Sequence, residues 1–150
     1  TVAEYERMGE AGILAEDDRV ELIDGEVIAM SPIGSRHAAC VDRLTVLLSR
    51  QAWYPVGTAT ILRVQSPIHL DEYNEPQPDL ALLRPRADYY ASGHPRPADV
   101  LLVIEVADTS LAYDRGVKLL LYAQAGIPGA WVVDLANDTS AGCAQLVNGL

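Results

Sequence analysis

The stretch Val100–Ala107, "VLLVIEVA", constrains this chain more than any other. Seven of its eight residues are apolar, many of them β-branched, and turn-forming Asp108 and Ser110 follow it. That pattern reads as a strand buried on both faces, at the middle of a sheet with cover on each side. The same strand carries one glutamate, Glu105. An ionised carboxylate in an apolar layer is costly unless it is paired or binds a metal, so a partner is expected opposite it.

The rest of the chain supplies the neighbours and the cover. "VAEYERMGEAG" has helical spacing and stops at Gly12. "RVELIDGEVIAM" alternates about Asp24-Gly25, which predicts a hairpin with Glu21 on its first strand and Glu26 opening the second. After the break "SPIG", the segment "SRHAACVDRLTVLLSRQAW" predicts an amphipathic helix. Its expected buried stripe is Ala39, Val46 and Leu47 and, less strictly, Leu44 and Leu48.

"GTATILRVQSPIHL" predicts one long strand, or two with a bulge near Ser66-Pro67, and "DLALL" a short strand after Pro78. "RPRADYYASGHPRPAD" is irregular and gathers Arg84, Arg86, His94 and Arg96. A helix is expected from about Tyr113 to Ala125, stopped by Gly126. "AWVVDLA" predicts a further strand, and "CAQLVNGL" the start of another that is cut short. The expected class is α/β (α+β): one domain over residues 1–150, with a mixed central sheet flanked by helices.

Charge narrows the function. The net charge of -10 opposes nonspecific nucleic-acid binding, so any such function must come from a local feature. No apolar run approaches the length of a membrane span, and the polar start has no signal-peptide pattern. Cys40 and Cys143 have no metal-type or redox spacing and read as small buried hydrophobes in a reducing cytoplasm.

Three acids stand where apolar strand residues are expected: Glu21, Asp79 and Glu105. Each has a plainer reading: a solvent-facing strand residue for Glu21, a turn residue for Asp79, an arginine partner for Glu105. After Glu105, Asp114, Lys118 and Tyr122 recur every four residues and share a helix face. An Asp114–Lys118 surface pair is the plain alternative, but Lys118 is the only lysine in the chain. Carboxylates with one ammonium suit magnesium-assisted phosphodiester hydrolysis, because Mg²⁺ takes oxygen ligands and keeps several waters. His37, His69 and His94 are scattered and suggest no zinc cluster; His37 reads first as a surface residue of its helix, with a cleft-facing position as the alternative.

"VELIDGEVIAMSP", "QPDLAL", the His37 helix and "LLVIEVADTSLAYDRGVKLLLYAQAGIPGAWVVDL", in that order of pieces, resemble the Uma2 family, related to the PD-(D/E)XK nucleases of restriction-endonuclease-like fold. The resemblance implies that Pro78-Asp79 matches the PD element, with Asp79 a metal ligand, and that Glu105 matches the second acid. It also implies a metal contact from the Val106 carbonyl and support from Glu21. The pattern breaks two residues after Glu105, where Ala107 stands in place of lysine; Lys118, on the following helix, is expected to replace it. Gln77, Asp114 and Tyr122 are supporting candidates; the Arg84–Arg96 loop is the place to look for phosphate contacts, with solvated loop arginines the plainer reading.

The expected activity is that of a Mg²⁺- or Mn²⁺-dependent nuclease acting on nucleic acid, DNA first, as a cytoplasmic homodimer with no membrane association. Asp79, Glu105, Lys118 and Glu21 would carry the catalysis. Two alternatives stand beside it: a non-catalytic homodimeric binding module of the same fold, and a phosphohydrolase acting on a small substrate.

Overall fold

The computed structural model describes residues 1–15, 17–50, 60–136 and 146–148, with the backbone alone at Arg50 and at 146–148. Its centre is the strand Val100–Ala107, β5, every residue of which is buried. The reason is alternation between two cores. Leu102, Ile104 and Val106 join a cluster with Cys40, Val41, Leu44 and Leu48. Val103 joins one with Tyr122, Ile127 and Ala130 on the opposite face. A strand covered on both sides has no polar face to show, which is why its sequence is aliphatic throughout.

Four further strands complete the sheet: β3 (Ile61–Val64), β4 (Leu80–Leu83), β6 (Ala130–Asp134) and β7 (Leu146–Asn148). Their order is β3-β4-β5-β6-β7, parallel between β5 and β6 and antiparallel elsewhere. A parallel pair needs a crossover, and the helical segment after β5 provides it. The expected mixed sheet flanked by helices is therefore present. The long strand expected from residue 57 is shorter, ending at Val64, because Gln65 takes a left-handed φ of 45° and turns the chain. Residues 57–59 and most of the last predicted strand lie outside the described residues.

The hairpin stands apart from this sheet. β1 (Val20–Ile23) and β2 (Glu26–Ala29) pair across Asp24 and Gly25, both with positive φ, as a tight right-twisted hairpin requires. Leu22 and Glu75 tie it to the segment before β4 by an isolated bridge. Helix α1 (Val2–Glu10) starts in a capping box formed by Thr1 and Glu4 and ends before Gly12 at φ 69°.

Helix α2 (Ser35–Arg50) corrects the predicted stripe. Cys40, Val41, Leu44 and Leu48 face the sheet, whereas Val46 and Leu47 are 49% and 44% exposed and Ala39 also faces outward. The helix has apolar residues on two faces, and periodicity cannot choose between them; the sheet takes the face that continues His37. Among the described residues no helix is long and apolar enough to cross a membrane.

Candidate active site

Strand register fixes the first acid pair. Leu80 of β4 lies opposite Ile104 of β5, so Asp79, one residue before β4, stands at the level of Glu105. The Val106 amide donates to Asp79 Oδ2 at 2.8 Å. In an antiparallel pair a residue's N–H and C=O point to the same neighbour, so the Val106 carbonyl also points past the start of β4. Gln65 donates to Asp79 Oδ1 at 3.2 Å, and His37 Nε2 lies 3.0 Å from Oδ2. Burial works against the charge on Asp79, but the His37, Val106 and Gln65 hydrogen bonds outweigh it and hold its pKa below the usual value. The same contact raises the pKa of His37, against the effect of burial.

The lysine comes from the crossover. A short α3 (Leu111–Tyr113) runs into a π-helical turn, Asp114–Lys118, and then α4 (Leu119–Gln124), with the Leu119 amide bonded to the Asp114 carbonyl. In a regular α-helix each four-residue step overshoots a full turn by about 40°. The wider π-turn undershoots, which brings Asp114, Lys118 and Tyr122 back into one line. All three are buried, at 5%, 3% and 0% exposure. Such local π-turns occur often at functional sites.

Lys118 is clamped between two acids, with Nζ 2.9 Å from Glu105 Oε1 and 3.0 Å from Glu21 Oε2. The partner that Glu105 demanded is thus the lysine, not an arginine. Tyr122 donates its hydroxyl to the same Glu105 oxygen at 2.6 Å. Glu21 faces the interior, where it meets Lys118, and the Gln77 backbone amide donates to it at 3.1 Å. Burial pushes Glu105 up to about 8 against the pull of Lys118. Burial opposes the charge on Lys118, but Glu105 and Glu21 prevail and lift its pKa above the ordinary lysine value. Asp114 accepts from Ser110 at 2.5 Å, so it is not the lysine's surface partner.

These groups share one cleft of about 440 Å³, lined by Glu21, His37, Asp79, Glu105, Val106 and Lys118 among others. Of the two readings of His37 the surface one is overturned and the cleft-facing one holds: it is half-buried and bonded to Asp79. Gln77 is displaced the other way; it grips Glu21 and the Val20 carbonyl from behind and does not line the cleft.

The loop arginines do not reach the cleft either. They follow the far end of β4, where Arg84 bonds the Ala98 carbonyl and Arg86 pairs with Asp88 at 2.6 Å and stacks over Tyr90. Arg19, on the way into β1, lines the cleft in their place. Sequence reasoning also passed over Tyr113 and Gln65. Gln65 shows itself only once β3 and β4 are in register, but Tyr113 precedes Asp114 on the helix that carries Lys118.

Fitness for a divalent cation can be judged from the donors. The cleft is lined by five carboxylates (Glu21, Asp79, Glu105, Asp108, Asp114) against Arg19 and Lys118. Such an acid excess repels a phosphate unless a cation intervenes. The donors are hard oxygens of the kind Mg²⁺ and Mn²⁺ prefer. Two polar atoms of the cleft, His37 Nδ1 and Tyr113 Oη, are buried without a hydrogen-bond partner, the mark of a site completed by something besides protein. The acids do not yet converge as a three-ligand cage: Lys118 stands between Glu21 and Glu105, while Asp79 turns to His37.

A family model described as "Uma2: Putative restriction endonuclease" matches residues 2–148. Among solved structures, the chain is similar to one from Anabaena variabilis ATCC 29413, described as "a putative nuclease belonging to DUF820". The TM-score is 0.61 at 14% identity, with 85% of this chain and 73% of that chain covered. At that identity the likeness shows the fold. No curated protein matches the chain.

Proposed function

The chain belongs to the Uma2 family, and on that premise we propose that it is a Mg²⁺- or Mn²⁺-dependent nuclease. One observation carries this reading: the only lysine of the chain is buried at the floor of the cleft, within 3.0 Å of Glu21 and 2.9 Å of Glu105, with Asp79 beside them. On this reading Lys118, on the helix, would serve for the lysine that the motif lacks at Ala107. Asp79, Glu105 and the Val106 carbonyl would hold the cation, with Glu21 assisting. When bound, the cation polarises the phosphoryl group and lowers the pKa of a coordinated water.

The chain's own groups do the positioning. His37, Val106 and Gln65 keep Asp79 ionised and fix its carboxylate plane. Tyr122 and Lys118 hold one oxygen of Glu105 and leave the other for the cleft. An ammonium has three donors, and Glu21 and Glu105 use two; the third is available to orient the attacking water or to meet charge developing on the phosphate. The acid-lined cleft, about 440 Å³ and of small-ligand size, also favours a second reading, a phosphohydrolase on a small phosphoester. A homodimer would use the exposed face of α2 around Val46 and Leu47.

Asp79→Asn is the direct test, since it keeps the shape and removes the charge. Wild-type chain is expected to cut DNA only with Mg²⁺ or Mn²⁺, and the variant to lose at least about 100-fold while its circular dichroism is unchanged. If Asp79→Asn cuts as fast as wild type, the nuclease assignment of this cleft is wrong. Cleavage of a small phosphodiester but not of DNA or RNA selects the second reading. If no phosphoester is cut under any divalent cation, the binding module stands.

A further inference from the structure

A second cluster lies outside the cleft, against the other side of β1. Glu6 of α1, His69 of the segment after β3 and Glu75 of the bridge to β1 each offer one ligand atom, all within 4.8 Å of one another. Among the described residues, this trio is the group that gathers three such donors. We propose that Glu6, His69 and Glu75 form a second divalent-cation site, suited to Zn²⁺ and independent of the catalytic cleft.

Glu75 supplies the decisive observation. It is only 3% exposed, yet its Oε2 has no hydrogen-bond partner. A buried carboxylate oxygen left unmatched is costly and calls for a partner. The nearest cationic candidate, His69 Nδ1, stands 3.7 Å away, beyond hydrogen-bond range. That spacing suits two donors sharing one ion: at about 2.1 Å from zinc and roughly 110–125° apart, they stand about 3.4–3.7 Å apart. Burial, and then the charge of Glu6, push Glu75 up to about 7, a strain that a bound cation would relieve.

The scaffold around these three donors is held independently of any ion. Glu75 exchanges backbone hydrogen bonds with Leu22 at 2.8 and 3.4 Å, and the His69 amide donates to the Pro95 carbonyl at 3.0 Å. α1 is fixed by the Val2 amide on the Glu72 carbonyl and by the Tyr5 hydroxyl on the Val20 carbonyl. The donor set also selects the ion. One imidazole and two carboxylates match zinc and its first-row neighbours, whereas Mg²⁺ keeps to oxygen ligands and several waters. Glu6, Glu75 and His94 border a hollow of about 380 Å³, so a fourth ligand, His94 or water, has room.

The two sites can be tested apart. In the Asp79→Asn/Glu105→Gln background, which disables the cleft, calorimetric titration with ZnCl₂ is expected to show one equivalent bound. At zinc about 100-fold above Kd the melting temperature should rise by about 5–10 °C. His69→Ala should abolish that equivalent, and Glu6→Gln, a shape-preserving change on an exposed residue, should weaken it by at least about tenfold. Co²⁺ in place of Zn²⁺ should give visible absorption that His69→Ala removes. The proposal is overturned if the cleft-disabled chain binds no zinc, or if Glu6→Gln and His69→Ala bind as it does. A cleft that fails to cut DNA leaves these outcomes unchanged.

Discussion

Two acid clusters flank β1, and they satisfy their charge in opposite ways. On the cleft side, Glu21 and Glu105 share an ammonium that the fold itself supplies, delivered by a π-turn to within 3.0 and 2.9 Å. On the other side, Glu75 is equally buried but faces no cation within hydrogen-bond distance. The first cluster has its counter-charge in place whether or not an ion is bound. The second costs the fold something until an ion arrives. A buried acid is thus no single kind of signal: its meaning depends on whether the chain brings the counter-charge along.

The largest effect should come from removing the shared cation. Lys118→Met leaves two buried carboxylates opposed and should cost about 3–5 kcal/mol in denaturant unfolding, enough to threaten folding. A loss below about 1 kcal/mol would mean that the clamp is not structural. Glu105→Gln keeps the shape and weakens one side of the clamp, and should cost about 1–3 kcal/mol.

Next comes the His37–Asp79 pair, measured with chelator present as melting temperature against pH, wild type beside His37→Gln. The folded pKa of His37 is raised, so its contribution is complete below about 6.5 and fades as pH rises through the folded value. That of Asp79 is lowered, so its contribution is present above about 3.9 and is lost as pH falls through the folded value. The gap between the two proteins should therefore be widest from about pH 4 to 6.5 and reach about 1–2 kcal/mol. An unvarying gap across pH 4–9 would count against the ion pair.

The smallest change, and the one of opposite sign, is expected for Glu75→Gln in chelator: stability unchanged or higher by up to about 1 kcal/mol, because an unpartnered buried charge is removed. Destabilisation as large as that of Glu105→Gln would erase the contrast between the clusters.

Much of the fold was legible in the chain because its signals were local. The Asp24-Gly25 turn, the aliphatic β5 and the Gly12 and Gly126 stops each follow from a few neighbouring residues. The candidate site was legible in part for the same reason: acids in apolar strands and a lone lysine at four-residue spacing stand out without any knowledge of contacts. What escaped was set by partners distant in sequence. Which apolar face of α2 turns inward depends on the sheet, and His37 is drawn into the cleft by Asp79, 42 positions away. The loop arginines are the exception: Asp88 and Tyr90 stand close to Arg86 in sequence, but an irregular loop has no period that says they meet it. The trio of Glu6, His69 and Glu75 spans three segments and has no spacing to recognise.

The burial of Lys118 has a practical corollary. The chain has no other lysine, so the folded protein presents no side-chain amine to solvent, and only 3% of this one is exposed. An acylating reagent, or a protease that cuts after lysine, can reach Lys118 only when the helix and the hairpin part. The rate of modification at that one position therefore reads the frequency of opening at the cleft, with no label introduced. A ligand that seals the cleft would announce itself by slowing it.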